Sequence, residues 1–476
     1  MNWNLVFALA LTLSVTGGCA DGHSDCHQSK DADRSIRGCT QIIERGTRES
    51  RKTKSIAFYS RGNAYADKGE HNQAIADYDK AIALNPNYAL AYAHRGSVYG
   101  SKGEFDRAIV DSEWAIALDP KLALAYHNRG TSYGKKGDYD RAIADLDKAV
   151  VLNPNFALAY NNRGDFYDQK GDYDRAVADF DKAIALNPKL GPSYYNRGRT
   201  YIRKGKYDRA IADYTKTIAI DPSFAKAYEN RGNAYSLKGA YDRAVADYNK
   251  AIALDPKNAA AYYNRGLAYS RKSEIDHAIA DYTKAIALSP NYFEAYNNRG
   301  LAYDHKSEVD RAIADYTKAI ALNPKLAPSY YNRGNAYDNK GEVDRAISDY
   351  TKAIALNPNY FEAYNNRANV YRKKGEYERA IADFDKAIAL NPKLALSYFN
   401  RGVAYHHKGE VDRAISDYDT SIKLNPRLAF AYNNRGIAYK NKGEVDRAIA
   451  DYRKALEIDP SYQRAKDNLT ALGVTL

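Results

Sequence analysis

The stretch NYFEAYNNRGLAYDHKSEVDRAIADYTKAIALNP, Asn291 to Pro324, is the sentence in which this chain is written. Tyr296, Gly300 and Tyr303 stand at i, i+4 and i+7, and Ala312, Ile313, Tyr316, Ala319 and Ile320 take up the same spacing downstream. Two amphipathic helices follow, A and then B. Between them Lys306-Ser307 sits where most copies of the stretch have Lys-Gly, and a glycine there supplies the left-handed residue that closes a helix. Proline ends helix B, because it lacks the N–H that continues a helix. Gly300 lies inside helix A, where glycine costs about 1 kcal/mol relative to alanine, so its presence predicts a close approach of helix B.

Working outward, Pro86, Pro120, Pro154, Pro188, Pro222, Pro256, Pro290, Pro324, Pro358, Pro392, Pro426 and Pro460 are each 34 residues apart. Twelve units therefore run over 55–462, and self-similarity replaces the several globular domains that 476 residues would otherwise suggest. Eleven units keep the helix-A glycine, and Ala368 replaces it once. The residues after each proline alternate, Asn87-Tyr88 and Asn155-Phe156 against Lys121-Leu122 and Lys189-Leu190, which gives a 68-residue superperiod and suggests growth by duplication of pairs.

The period, the Tyr-Gly-Tyr seam of helix A, the Ala-Tyr-Ala seam of helix B and the closing proline resemble the tetratricopeptide repeat. The resemblance implies an all-α, right-handed superhelical solenoid of antiparallel helix pairs. Helix A would line a concave groove that holds peptides or partner proteins. Solenoid ends need caps. Asp33 to Ile43 looks like a worn helix B, so residues 21–54 are expected to form a capping half-repeat with a basic linker, Arg48 to Lys54, and residues 463–476 a lone capping helix with Leu469 at the seam.

One departure from the family is informative. Where most members carry Leu, every unit here has an Arg, in most of them the Arg of an Asn-Arg-Gly triplet, as at Arg299, three residues after Tyr296 and four before Tyr303. That places a charge in the buried sector, and Asp315 stands in the matching sector of helix B, with an Asp in all twelve units. The spacing predicts a buried or half-buried Arg–Asp pair in each unit, which need not add net stability but would reject mismatched packing of near-identical units. Against it stands a guanidinium whose stem packs and whose head reaches solvent.

Asn298 lies about 200° around helix A from both Tyr296 and Gly300, so it faces away from helix B. Its equivalents are Asn128, Asn162, Asn196, Asn230, Asn264, Asn332, Asn366, Asn400 and Asn434, with Ser60 and His94 in the first two units. Such a file resembles the asparagine ladder of O-linked N-acetylglucosamine transferases, which holds the backbone of an extended peptide, and each amide can donate and accept. The competing reading is that these amides satisfy neighbouring helices or one another. The two-carboxylate clamp of chaperone-tail binders is not matched, since no Lys precedes the file. Variable neighbours such as Arg199, Asn233, Leu267 and Leu301 are expected to set sequence preference.

Little else in the chain carries chemistry. His406-His407 do not share a helix face and lie far from His305, no phosphate-cradling loop or nucleophile motif occurs, and no metal, cofactor or enzymatic activity is expected. Ser112 replaces the helix-B tyrosine in the second unit, and Trp114 is expected to fill the missing volume or to serve as a contact for a partner. A formal net charge of +12 keeps a second function class open, a basic helical-repeat protein binding nucleic acid or another anionic polymer.

The N-terminus points to export. Leu5 to Val15 is an apolar run too short to span a bilayer, and residues 1–20 read as a signal peptide, although no Lys or Arg precedes the run. Val15-Thr16-Gly17-Gly18-Cys19 fits a bacterial lipobox, with Cys19 lipidated, and equally an ordinary small-residue cleavage site. Cys26 and Cys39, the remaining cysteines, are expected to close a disulfide in an oxidising compartment or to stay as free thiols. A periplasmic or envelope location follows, with membrane attachment only through the lipid. Partners would be proteins or peptides.

Overall fold

A computed structural model describes residues 23–28 and 31–475. Every regular element among them is helical. The signal segment and Cys19 lie outside the described residues. Contacts divide the chain into two units, Met1–Ala240 and Tyr241–Leu476, each a stack of helix pairs.

In the first unit the short helices His23–Gln28 and Ala32–Glu44 pack on the A helix Arg51–Asp67, and A and B helices then alternate to Leu237. The expected basic linker is not one. Ser50 caps a helix by accepting from the Thr53 amide at 3.0 Å, so Arg51 to Lys54 form its first turn, and only Gly46–Arg48 remains as a connecting turn. The second unit runs from the B helix Tyr241–Leu254 to the closing helix Gln463–Thr470, where Leu469 is buried against Ala448, Tyr452 and Ala465.

Within the quoted repeat, helix A spans Phe293–His305 and helix B Val309–Leu322. Ser307 takes φ 60°, and the Glu308 amide donates to the Tyr303 carbonyl at 2.9 Å, which closes helix A in the left-handed way and reverses the chain. Most other repeats use glycine at this place. The seam is built from small residues and one ring: Ala302, Ala312 and Ala319 are buried, and Tyr316 is fully so. A Cβ on Gly300 would stand 2.7 Å from the Tyr316 ring, so the glycine makes room for that ring. Burying a ring this completely contributes roughly 2–3 kcal/mol per repeat.

Within each unit the A helices pack between their own B helix and the preceding one, and the A helices of successive repeats also touch, an approach their B helices do not match. The A face is therefore the inner one within each unit. The 68-residue alternation has a physical counterpart there. In one kind of A–A junction an asparagine meets an aromatic ring, as Asn298 donates to the Tyr263 hydroxyl at 2.9 Å while that ring lies 4.8 Å from Tyr292. In the other it meets a carboxamide, as Asn332 donates to Asn297 Oδ1 at 3.3 Å and Ser329 donates to the same oxygen at 2.8 Å. Units alternate because the two junctions need different residues.

Candidate functional site

Helix A places Arg299 one turn from both Tyr296 and Tyr303, with its guanidinium 5.7 and 5.8 Å from the two ring centres. Nε and Nη2 donate to the two oxygens of Asp315 at 2.7 and 2.8 Å. The same two-nitrogen grip is made in all eleven repeats whose helices lie within one unit, from Arg61–Asp77 to Arg435–Asp451. The Arg299 and Asp315 side chains are 16% and 8% exposed, so the pair sits at the edge of the seam with its head turned inward. Burial works against the charge on Arg299, but the Asp315 carboxylate more than offsets it and raises the guanidinium pKa. Burial dominates on the acid side: the carboxyls of Asp179 and Asp417 are pushed above their ordinary value despite the arginines they hold. Such pairs need not add net stability, because desolvation of both charges offsets their attraction.

The third arginine nitrogen leaves the repeat. Arg299 Nη1 reaches Thr283 Oγ1 at 3.0 Å in the preceding B helix, and Arg333 and Arg367 find Thr317 and Thr351 in the same way. In Arg163 and Arg435 the acceptor is a carboxylate, Asp147 or Asp419. One guanidinium thus ties its own B helix to the one before. A second series is made by the turn lysines, such as Lys306 on Asp276 and Lys340 on Asp310, both exposed and each worth little alone.

The asparagine file lies on the A face but is not free. Asn230, Asn298 and Asn366 donate to the hydroxyls of Tyr195, Tyr263 and Tyr331, and Asn196 and Asn332 donate to Asn161 and Asn297. Asn162 reaches His127 and Thr131, and Asn128, buried, donates to the Ala93 carbonyl. The expectation that these amides point openly into the groove is corrected to this extent. Successive A helices touch, so the file lies at their junctions, and a half-buried amide there must bond. Each carboxamide still has two N–H donors and an oxygen, and Asn298, with one donor on Tyr263 and its oxygen accepting from Asn297, keeps a donor and a lone pair.

Other residues fall as follows. Cys26 and Cys39 are joined in a disulfide beneath the first full repeat. Trp114 is 55% exposed, stacked on Tyr92, and does not fill the place of the lost tyrosine; Ser112 occupies the seam itself and donates to the Ala108 carbonyl. The reason is angular: Asp111 and Ser112 take the buried sector, which leaves Trp114 at the outward position usually held by Lys. His407 stacks on Tyr377 and His406 meets Asn441. Among the described residues no group of three His, Cys, Asp or Glu is placed to hold a metal ion, and no helix is long and apolar enough to cross a membrane.

Family models described as TPR repeat match residues 62–103, 198–239, 232–273, 368–409 and 404–443. Models described as tetratricopeptide repeat match 89–122, 127–190, 180–212, 259–292, 293–326, 327–360, 349–382 and 429–462. Among solved structures the chain is similar to the APC/C hetero-tetramer Cut9–Hcn1 at 17% identity and TM-score 0.43, covering 94% of this chain and 95% of that one. It is similar to MamA at 35% identity and TM-score 0.32 over 34% of this chain and 96% of that one, and to yeast Tom70 at 17% and 0.37 over 88% and 95%. No curated protein matches significantly.

Proposed function

This chain belongs to the tetratricopeptide repeat family, and from that premise we propose that it is a non-enzymatic scaffold whose A face holds extended peptides or partner proteins. The observation that carries the reading is the file of half-buried carboxamides at A–A junctions, where Asn298, bonded to Tyr263 and Asn297, keeps a donor and a lone pair for a peptide backbone. The exposed Leu301 beside it belongs to the part that varies between repeats and would set preference. Export to a periplasm or envelope is part of the proposal, with Cys19 lipidated or removed with the signal segment. The Cys26–Cys39 bond supports it, since structural disulfides persist in oxidising compartments. The repeated cations speak against nucleic acid as the ligand, because the seam arginines and turn lysines already face carboxylates of the chain.

A photo-crosslinker placed at Leu301 on the A face should capture partners in intact cells, and one at the exposed Lys318 of the B helix should not. A folded variant with Asn230, Asn264 and Asn298 all changed to Ala should lose that capture. Equal capture from both faces rejects the A-face reading, and undiminished capture by the triple variant rejects the carboxamide file.

A further inference from the structure

The A helices Ala327–Asn339 and Phe361–Lys373 enclose a solvent-open pocket of about 450 Å³ near their C-terminal ends, lined by Asn335, Asn339, Asn369, Arg372 and the pair Asp338–Lys373. Lys373 Nζ is 3.0 Å from each oxygen of Asp338, so those two charges answer each other. Arg372 has no such answer. Its Nε is buried without a hydrogen-bond partner, and among the described residues no carboxylate pairs with it. Burial pushes its pKa below the ordinary value, although it stays charged at neutral pH. The two preceding repeats carry Asp338 and Asp304 at this place and the next carries His406, so the arginine is not part of the repeated pattern.

The carboxamides complete the site. Asn335 Oδ1 accepts from the Tyr350 hydroxyl at 2.8 Å and from Asn366 at 2.9 Å. Two donors fix that oxygen and turn the NH2 group the other way, with its hydrogens unspent among the described residues. The pocket therefore offers one uncompensated positive charge, a planar donor fork and amide N–H groups. A buried donor left unmet is costly, and a planar monoanion meets all three features at once.

We propose that this pocket binds the carboxylate of a partner segment, with Arg372 as the charged donor and Asn335 as an amide donor. The proposal rests on the peptide-holding reading above and adds the class of group that the ligand must present. It uses residues that differ between repeats, so it would fix where along the stack a segment lies. The carboxylate can come from an Asp or Glu side chain or from a chain terminus.

The test uses the full chain with 15N-labelled arginine and acetate as the first probe. The Arg372 Nε–Hε resonance, identified by its loss in Arg372→Gln, should shift saturably with acetate and not with equal chloride. The second probe is a set of end-blocked Ala/Ser decamers with a central Glu or Gln, and Gln decamers with a free C-terminus. Whichever carboxylate source fits should bind about tenfold more tightly than the neutral peptide, the worth of one charge-assisted bond, and Arg372→Gln should remove that ratio. The melting temperature of Arg372→Gln should be unchanged or higher, and Arg372→Lys should retain part of the ratio. No acetate shift at Arg372, or an equal ratio in wild type and Arg372→Gln, overturns the proposal. Acetate binding with no peptide bound keeps the pocket and rejects the peptide-holding reading, whereas peptides bound without regard to charge do the reverse.

Discussion

Arg299 grips the carboxylate of Asp315 with Nε and Nη2, and its remaining nitrogen crosses to Thr283 in the preceding B helix. One residue therefore sets both the A–B spacing of its own repeat and the B–B spacing to its neighbour. Removing one member leaves the other charge in the seam. Asp315→Ala should destabilise by about 3 kcal/mol, whereas Arg299→Leu with Asp315→Leu should recover most of that loss, since buried pairs are often replaceable by apolar residues. Hydrogen exchange of the amides in Val309–Leu322 is the measurement, because a solenoid opens locally and a single melting temperature averages over repeats.

The A–A junctions predict a graded effect at Tyr263. Tyr263→Phe removes only the acceptor of the Asn298 amide and should cost about 1 kcal/mol. Phe399 stands at the equivalent place in another unit and packs on Tyr418 and Phe430, so the ring alone is tolerated. Tyr263→Asn gives the junction of the other kind without its serine partner, and should cost clearly more. Urea denaturation of the three proteins orders them, and equal loss for Phe and Asn would show that the hydroxyl, not the ring, holds the junction.

His127 makes part of the stack acid-sensitive. It is buried beside Phe156 and Asn162, and burial pushes its pKa down to about 4. An unfolded histidine titrates near pH 6.5, so between about pH 6.5 and 4 the unfolded chain takes up a proton that the folded one refuses. Stability from this group is complete above pH 6.5 and is lost as pH falls through that window, by roughly 3 kcal/mol at most. His127→Tyr, which restores the residue found at Tyr263, should flatten the dependence of melting temperature on pH between 7.5 and 4.5. An unchanged slope would assign the acid sensitivity to other groups.

How much of this could be read from the sequence depends on which contacts the helix itself dictates. Pro290 and Pro324 bracket the quoted repeat and Ser307 marks its turn, so the helix limits follow from local chemistry. The Arg299–Asp315 grip is also legible, since both residues fall in the buried sectors of adjoining helices. The Asn298–Tyr263 and Lys306–Asp276 contacts are different. They join one repeat to the next, and a helical wheel contains no information on the offset between repeats. Their one trace in the sequence is a constant separation, 35 residues for the first kind and 30 for the second. The volume-filling reading of Trp114 fails for a related reason: the lost Tyr suggests a hole, but the position of the indole on helix B points it outward.

The Cys26–Cys39 bond closes a loop across a sequence separation of 13 residues and ties the helix His23–Gln28 to Ala32–Glu44. A loop of that size contributes about 3 kcal/mol by restricting the unfolded chain. Cys26→Ser with Cys39→Ser should release the segment before Glu44 and leave later repeats unaffected, since each repeat contacts only its neighbours. Limited proteolysis should then cut first between residues 23 and 44, and in the oxidised wild type should spare that segment.

Gly300→Ala sets two effects against each other. Alanine favours the helix by about 1 kcal/mol, but its Cβ would stand 2.7 and 2.9 Å from two atoms of the Tyr316 ring, closer than packed carbons allow. That ring cannot swing away freely, because its hydroxyl donates to Asp304 Oδ2 at 2.6 Å. Overpacking of this kind costs about 1–3 kcal/mol, so the net change should be destabilising. The unit that carries Ala368 shows the way out: its ring is Phe384, buried and with no hydroxyl to anchor. Tyr316→Phe in the Gly300→Ala background should therefore recover part of the loss, although alone it should destabilise. A double-mutant cycle by urea denaturation measures the coupling, and strict additivity would mean that the glycine serves some purpose other than the ring.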